Sequence, residues 1–458
     1  RLVATSRALP SATPLLARRP MWRAGARQLH LVREPPSAER DLRSMTGNDL
    51  LRHVAEHSQQ PFAKYSLEDL LRLNELSAQE RLLHLDEVLH VGISRIIMLL
   101  QDLPMGFGIK GPIREVIQDY VADIRDLRAN PPDNPETFQA CILAIFSRHR
   151  GMLGQIARGL RDFQQEALKE FEPVASLNVT GLADCESVPA VQKIQRTLDE
   201  FFTVRTTLRL LIAHCMQLAP EDRREEMGFA MHQLLQRIPD SLRRESSGAM
   251  QARHVGAICL DTRPSVILIE AYRHAHFMCK RQFNRASKLV VNGMSAKKFL
   301  AGGMDHTIVE THFPYVDIHL YFVFFEVLKN ALLASIKKAG PDEEPPPIHA
   351  SLITGTSLSF ENERTVKITD NGEGINRDDV RKVWSYFHSD VKEDLTNWPG
   401  GPEYCGTLSE PQPEQPRRVP IVGRGLGLAV SRVLVRYFGG EIDLHSIPRK
   451  GTDVYIYL

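Results

Sequence analysis

The stretch Asp370-Asn-Gly-Glu-Gly-Ile375 follows directly on Thr365–Thr369, whose alternating and β-branched residues predict a strand. A carboxylate at a strand end can accept a hydrogen bond from the exocyclic amine of adenine, and glycines let the backbone turn close to a base. Asp-x-Gly and Asn-Gly sequences are also common in ordinary turns. Taken alone, this stretch therefore supports a nucleotide pocket and a plain turn about equally.

A glycine-rich stretch, residues 423–428, opens a predicted helix that runs from Leu426 to Phe438. Glycine amides at a helix N-terminus form a ready phosphate site, because free N–H groups and the helix dipole point there. The G-x-G-x-G spacing after a long loop does not fit a dinucleotide-binding fingerprint, and the sequence has no Walker-type phosphate loop. A flexible loop end is the alternative. The candidate phosphate-binding residues are Gly423, Arg424, Gly425, Leu426, Gly427 and Leu428.

The third candidate element is the predicted helix Tyr315–Lys338, which carries Glu326, Lys329 and Asn330. Glu326 and Asn330 are four residues apart and therefore share one helix face. An Asn oxygen is a suitable ligand for Mg²⁺, and a Glu can accept a proton from an attacking hydroxyl. A solvated helix edge would carry the same residue types, so this element is weak evidence by itself.

Together the elements resemble the GHKL ATPase superfamily of histidine kinases, heat-shock chaperones, type II topoisomerases and MutL proteins. The order is the Asn helix, D-x-G-x-G, a lid, G-x-G-x-G and the closing strand at Gly451-Thr-Asp453. The lid is the loop of about residues 388–422, which contains six prolines. The resemblance implies an ATP-binding kinase domain with a Bergerat-type α/β sandwich over residues 254–458.

The N-terminal half shows helical periodicity from about Leu82 to Met216. Breaks are predicted at Leu103-Pro104, around Asn130–Pro135, and in the stretch Ser176–Ala190. Four long helices with short connections predict an antiparallel four-helix bundle over residues 41–253, with an insertion at about 220–253. In the second half, helices are predicted among the strands at Pro264–Arg281 and Arg377–Phe387 as well. The predicted fold class is therefore α+β.

Both halves are similar to the mitochondrial pyruvate and branched-chain 2-oxo-acid dehydrogenase kinases. The matching segments are Arg148-His149, Ala157-Arg-Gly159, Phe201-Phe-Thr203, Leu208–Ile212, His254–Ile258, Tyr315–Ala331, Val430-Ser-Arg432, Arg436–Gly440 and Gly451-Thr-Asp453. The resemblance implies ATP- and Mg²⁺-dependent phosphorylation of a serine on the dehydrogenase subunit, which inhibits it. It also implies contact with the lipoyl-bearing acyltransferase core, and a possible homodimer.

The resemblance also implies roles for individual residues. Glu326 would be the general base, Lys329 would lie near the phosphates, and Asn330 would bind Mg²⁺. Asp370 and Thr452 would hold adenine, while the glycines would shape the pocket and the lid hinge. The implied cofactor-binding set is Asn330, Asp370, Gly372, Gly374, Gly423, Arg424, Gly425, Leu426, Gly427, Leu428 and Thr452.

Some positions depart from that family. Leu333 stands where the family usually has Arg, Phe322 stands where pyruvate-specific members have His, and the chain ends at Leu458 before any Asp-Trp tail.

Two alternatives to the serine kinase remain open at this point. A histidine kinase would need an exposed acceptor, and His149 falls on an apolar periodic face, where we expect it to be packed. The other alternative is an ATP-binding regulator without catalysis, which Leu333 keeps open.

Composition and charge limit the remaining possibilities. Residues 1–33 contain seven Arg and no acidic residue, which is typical of a mitochondrial transit peptide over about residues 1–40, although a disordered basic tail would look similar. This leader predicts a matrix location.

The formal net charge of +1 gives no general attraction to nucleic acid. The sequence has no uninterrupted apolar run long enough to predict a membrane span. Six scattered cysteines without C-x-x-C spacing argue against zinc and against a disulfide framework.

Overall fold

A computed structural model describes residues 47–109, 111–170, 189–218, 254–296, 298, 312–340, 342–354, 364–388 and 425–458. The predicted transit peptide and the predicted insertion lie outside the described residues, and so does the predicted lid apart from its first residue. Gly423 and Arg424 lie outside them as well.

The N-terminal half is helical, as the periodicity predicts. The three-ten helix Pro104–Ile109 follows the predicted break at Leu103-Pro104. At the second break the side chain of Asn134 caps a helix whose first residue is Pro135, so this Asn-Pro pair starts a helix rather than only interrupting one. The helices are α1 Gly47–Ser58, α2 Leu67–Arg72, α3 Ala78–Gln101, α4 Gly111–Ala129, α5 Pro135–Arg148, α6 Met152–Glu170 and α7 Pro189–Gln217.

Helix α3 organises this half, because α1, α4 and α7 all pack against it, while α6 packs against α4. The aromatic residue Phe201 of α7 is fully buried, with its ring centroid 4.9 Å from that of Phe202 and 6.4 Å from that of Tyr120. Burial of such large side chains supplies most of the stability of a helical half whose helices would be marginal in isolation.

The described residues of the C-terminal half form two sheets and three helices. The strands are β1 His254–Val255, β2 Ile258–Thr262, β3 Leu289–Val291, β4 Met294–Ser295, β5 Phe313–Tyr315, β6 Ile348–Thr354, β7 Arg364–Asp370, β8 Glu441–Ile447 and β9 Gly451–Tyr457. The larger sheet has the order β4-β3-β6-β7-β9-β8, and β3–β6 is its parallel pair; the smaller sheet has the order β1-β2-β5. The helices are α8 Pro264–Phe283, α9 Asp317–Lys338 and α10 Gly427–Tyr437.

Helix α9 is the centre of this half. It contacts β6, β7 and β9 of the larger sheet, and α8 and α10 pack against it. Among the residues that the structure describes, α9 is the one helix long and apolar enough to cross a membrane by length and composition. Its apolar sequence is accounted for by its position, because it is covered by the sheet and by both neighbouring helices.

The predicted helix Arg377–Phe387 is wrong. The segment forms successive turns and a short three-ten helix, Lys382–Trp384, closed by hydrogen bonds to carbonyls three residues back. Contacts with α7 override the local helical pattern: the hydroxyl of Tyr386 donates to Asp199 Oδ1 at 2.8 Å, and its amide donates to Gln195 Oε1 at 3.2 Å. The smaller sheet was also missed, since its strands are short and lack a clear alternation.

Replacing Phe201 by Ala should lower the free energy of unfolding by about 3–5 kcal/mol, because a fully buried ring is removed. The matched control is Phe277→Ala in α8, where the side chain is 58% exposed and the change should stay within about 0.5 kcal/mol. Urea denaturation followed by circular dichroism measures both. Equal losses in the two variants would contradict the packing described for α7.

Candidate functional site

The candidate site lies along one side of α9. Glu326, Asn330 and Ala334 follow one another at four-residue intervals, so their side chains leave neighbouring turns of the helix. Glu326 is buried, whereas Asn330 is exposed. Eight residues of α-helix rise by about 12 Å, and this is the length over which these three residues extend.

The first residue of α10 lies against the carboxylate of Glu326. A Cβ atom added to Gly427 would be 1.9 Å from Glu326 Oε2, so any other residue there would force the carboxylate or the helix to move. Gly425, two residues earlier, has a φ of 80°, which favours glycine as well. Leu426 between them is buried, and Leu428 is half-buried. The N-terminus of α10, with its free amides, is therefore placed at the Glu326 end of the α9 residues.

The turn after β7 lies at the other end of the same residues. A Cβ atom added to Gly372 would be 2.6 Å from the Cβ of Ala334. Nearby, Lys338 Nζ donates to the carbonyl oxygen of Asn371 at 2.7 Å. Ala334 and Lys338 were not predicted to belong to the site, although Ala334 follows from the four-residue interval that joins Glu326 to Asn330.

Asp370 ends β7, directly opposite Thr452 of β9. The amide of Gly372 donates to Asp370 Oδ1 at 2.8 Å, and the backbone of Thr452 also donates to this carboxylate. Burial raises the pKa of Asp370 from 3.8 to about 6, and the hydrogen bonds from Gly372 and Thr452 partly oppose that rise. The hydroxyl of Thr452 is hydrogen-bonded to that of Ser446 at 2.9 Å. A buried carboxylate with unused acceptor capacity can accept hydrogen bonds from a ligand amine.

The β8–β9 hairpin holds the remainder of the D-x-G-x-G turn. Gly374 has a φ of 68°, and a Cβ atom there would be 2.1 Å from the carbonyl oxygen of Ile447. The amide of Ile375 donates to Ser446 Oγ at 2.8 Å. Both glycines of the motif therefore permit close backbone contacts, one with α9 and one with the hairpin.

Glu326 and Lys329 form an ion pair in which Lys329 Nζ donates to Glu326 Oε2, and both side chains are buried. The ammonium also lies 5.7 Å from the ring centroid of Phe325. Burying one of these charges alone would be costly, so each stabilises the other in an apolar helix. The pair gives the site a fixed carboxylate with a cation beside it.

The residues present fit a magnesium-bound nucleotide. At the Ala334 end of the row lies the turn that follows the Asp370 carboxylate, in the middle lies the exposed amide of Asn330, and at the Glu326 end lies the N-terminus of α10. The two close glycine contacts, with Ala334 and with Glu326, bring the backbone of both segments against α9. Amide oxygens suit Mg²⁺, and helix N-termini suit phosphates. The three predicted elements therefore converge, except for Gly423 and Arg424, whose positions are not described.

His149 is buried, as the periodicity predicts. Its Nε2 pairs with the buried carboxylate of Asp123, which also pairs with Arg148. Burial lowers the pKa of His149, and Asp123 partly opposes this effect. The ring borders a small cavity of about 30 Å³ that shares no lining residue with the α9 site. Such a packed histidine is poorly placed to receive a phosphoryl group.

The two departures from the family lie on α9 itself. Phe322 is buried four residues before Glu326, and Leu333 is half-buried and packs against the core. Neither side chain carries charge, so the family's usual Arg at position 333 has no substitute at that position.

The two halves match different family models. The model for mitochondrial branched-chain alpha-ketoacid dehydrogenase kinase matches residues 64–259, and the model for histidine kinase-, DNA gyrase B- and HSP90-like ATPases matches residues 316–458. The mitochondrial pyruvate dehydrogenase (acetyl-transferring) kinase of Ascaris suum is 25% identical over 82% of this chain and 77% of its own length. These matches support membership of the mitochondrial 2-oxo-acid dehydrogenase kinase family. The family predicted from the sequence is thereby confirmed.

Other relatives extend over similar lengths. The corresponding kinase of Drosophila melanogaster is 26% identical over 81% of this chain and 75% of its own length. That of Arabidopsis thaliana is 24% identical over 86% of this chain and 89% of its own length. The chain is thus a protein kinase with a GHKL-type ATP-binding domain, which confirms the predicted enzyme class and the use of ATP.

Replacing Asp370 by Asn should stabilise this kinase near neutral pH. The folded-state pKa of about 6 exceeds the ordinary 3.8, so ionisation of Asp370 disfavours the folded state as pH rises between these values. One pKa unit corresponds to about 1.4 kcal/mol, so the gain should be on the order of 3 kcal/mol above about pH 7 and vanish below about pH 4. Urea denaturation across pH measures it. Asp443→Asn, at an exposed position of β8, is the control; the same gain there would contradict the role of burial.

Replacing Gly427 by Ala should lower the free energy of unfolding by about 1–3 kcal/mol and weaken nucleotide binding, because the added methyl group meets Glu326. Gly151→Ala is the matched control, since a Cβ atom there meets nothing within 4 Å and the change should stay within about 0.5 kcal/mol. Thermal unfolding and calorimetric titration with ATP measure the two effects. If Gly427→Ala bound ATP with wild-type affinity, the prediction that α10 contacts the nucleotide would be wrong.

Proposed function

We propose that this chain is an ATP- and Mg²⁺-dependent serine kinase that phosphorylates and inhibits the dehydrogenase subunit of a 2-oxo-acid dehydrogenase complex. The observation that carries the proposal is the approach of two glycine segments, at Gly372 and Gly427, to the two ends of one row of residues on α9. The turn after Asp370 and the first turn of α10 thereby lie at the two ends of the row that contains Glu326 and Asn330, and we propose that the triphosphate binds between them.

In the proposed site, Asp370 accepts a hydrogen bond from the adenine amine, and Thr452 supports it. The amides at the start of α10, together with Gly423 and Arg424, hold the phosphates. The amide oxygen of Asn330 binds Mg²⁺, which neutralises charge on the phosphates when bound. Gly374 holds the turn against the hairpin, so that the Asp370 carboxylate keeps its position.

Glu326 is the proposed general base. The serine oxygen forms a bond to the γ-phosphorus while the bond from that phosphorus to the β,γ-bridging oxygen breaks, and ADP leaves. The hydroxyl proton passes to the carboxylate of Glu326. Lys329 orients this carboxylate through the ion pair and supplies positive charge beside the phosphates.

The remaining partners and the location also belong to the proposal. The relatives are named mitochondrial, which agrees with the Arg-rich leader, and we place the enzyme in the matrix. Helices α3, α4, α6 and α7, with α5 continuing into α6, form the proposed antiparallel four-helix bundle. We also propose that the kinase binds the lipoyl-bearing acyltransferase core and forms a homodimer. We further propose that residues 220–253 are an insertion in the helical domain and that residues 388–422 are the lid of the kinase domain.

Two variants test the active site. Glu326→Gln should lower turnover by about 10²–10⁴-fold with nucleotide affinity retained, because the carboxamide cannot accept the hydroxyl proton. Asn330→Ala should abolish transfer, because the metal ligand is removed. Glu344→Gln is the control, since Glu344 is exposed and forms a surface ion pair with Lys288. The assay follows radiolabelled phosphate from Mg-ATP into purified pyruvate and branched-chain dehydrogenase subunits.

The form of the product separates the alternatives. Acid-stable phosphoserine on one of the two subunits supports the proposal and identifies the complex. Acid-labile phosphate on the chain itself would indicate a histidine kinase instead. Nucleotide binding without any transfer would indicate a regulator, in agreement with the loss of Arg at Leu333. Full activity in Asn330→Ala would refute the metal role of this residue.

A further inference from the structure

A group of three metal-binding residue types lies outside the nucleotide site, at the start of α9. His254 comes from β1, Cys259 comes from β2, and Asp317 is the first residue of α9. One ligand atom from each side chain lies within 4.8 Å of the other two. Three separate elements of the fold are therefore brought together at one point, although the residues are up to 63 positions apart in the sequence.

The carboxylate of Asp317 is already oriented for such a role. The hydroxyl of Thr262 donates to Asp317 Oδ1, while Oδ2 lies 3.9 Å from His254 Nε2. The thiol of Cys259 also donates to this carboxylate. A hydrogen bond from a neighbouring side chain that fixes a ligand carboxylate is a common feature of metal sites in proteins.

The chemistry of these donors selects the metal. One thiolate, one imidazole and one carboxylate are the ligand types of Zn²⁺, which is usually tetrahedral, at about 2.0–2.3 Å from each donor. Thiolate and carboxylate together carry two negative charges, which balance those of the ion beside the positive end of the α9 dipole. His254 is partly exposed, so the site opens to solvent, while Cys259 is buried. A fourth position is left for water.

We propose that His254, Cys259 and Asp317 bind one Zn²⁺ ion, which ties the β1–β2 hairpin to the first turn of α9. On binding, the Cys259 thiol releases its proton to solvent and the thiolate sulfur bonds to the metal. The proposal goes beyond the kinase reaction, because none of the three residues takes part in it. The scattered cysteines had argued against zinc, but that argument concerns cysteine pairs, and this site uses a single cysteine.

Zinc binding by the full chain tests the proposal directly. Titration against a chromogenic zinc chelator should show one tightly bound ion per chain. Co²⁺ substituted for zinc should give a thiolate-to-metal charge-transfer band. Cys259→Ala should lose that band, and Cys259→Ala and Asp317→Asn should each weaken zinc affinity more than about 100-fold, since loss of a mere supporting hydrogen bond costs about 10–100-fold. The control Cys279→Ala, at a fully buried cysteine of α8, should keep both properties.

A milder variant keeps the proposal testable if the variants that lack a zinc ligand do not fold. Thr262→Val replaces a fully buried hydroxyl by a methyl group, and should weaken zinc affinity about 10–100-fold while the cobalt charge-transfer band persists. Absence of saturable zinc uptake by the wild-type chain would overturn the proposal. So would a wild-type affinity in Cys259→Ala or in Thr262→Val.

Discussion

The contact between the start of α10 and the carboxylate of Glu326 is the constraint on which the rest of the site depends. It requires a glycine at position 427, it keeps a charged side chain away from water, and it needs Lys329 as a counter-charge. A carboxylate buried between two helices would otherwise be expelled or neutralised. The position of α10, the ion pair and the composition of α9 are therefore consequences of one another.

Burial also explains why the site uses so few polar side chains. Asp370 and Glu326 are both buried, and the glycines at positions 372 and 427 let the backbone come close to α9. The raised pKa of Asp370 means that the folded chain carries a charge that burial disfavours, and the proposed contact with adenine would give this carboxylate a function. Residues that a protein keeps for function often lower its free energy of unfolding compared with a neutral replacement at the same position.

Much of the fold could be predicted from the sequence because its signals are local. The helix caps at Asn134, the periodicity of α7 and the glycine motifs each act within a few residues. The segment 377–387 could not be predicted, because its shape is set by Gln195 and Asp199, which are nearly two hundred positions away. Within the site, motif order predicted that the elements carrying Glu326, Asp370 and Gly427 lie together, and the close contacts of Gly427 and Gly372 with α9 agree with this, while the roles of the residues stay a prediction. Lys338 and Ser446 carried no motif and were found only from their contacts.

Helix α9 has a consequence for how the sequence can vary. Asp317 at its start, the Glu326–Lys329 pair, Asn330, and Ala334 beneath the turn after β7 all lie on one continuous helix. Inserting or deleting a single residue within it would rotate everything beyond that point by about 100°. Every contact downstream would be lost in one step, so this segment can change by substitution but not in length. Its residue count is as much a part of the enzyme as any side chain.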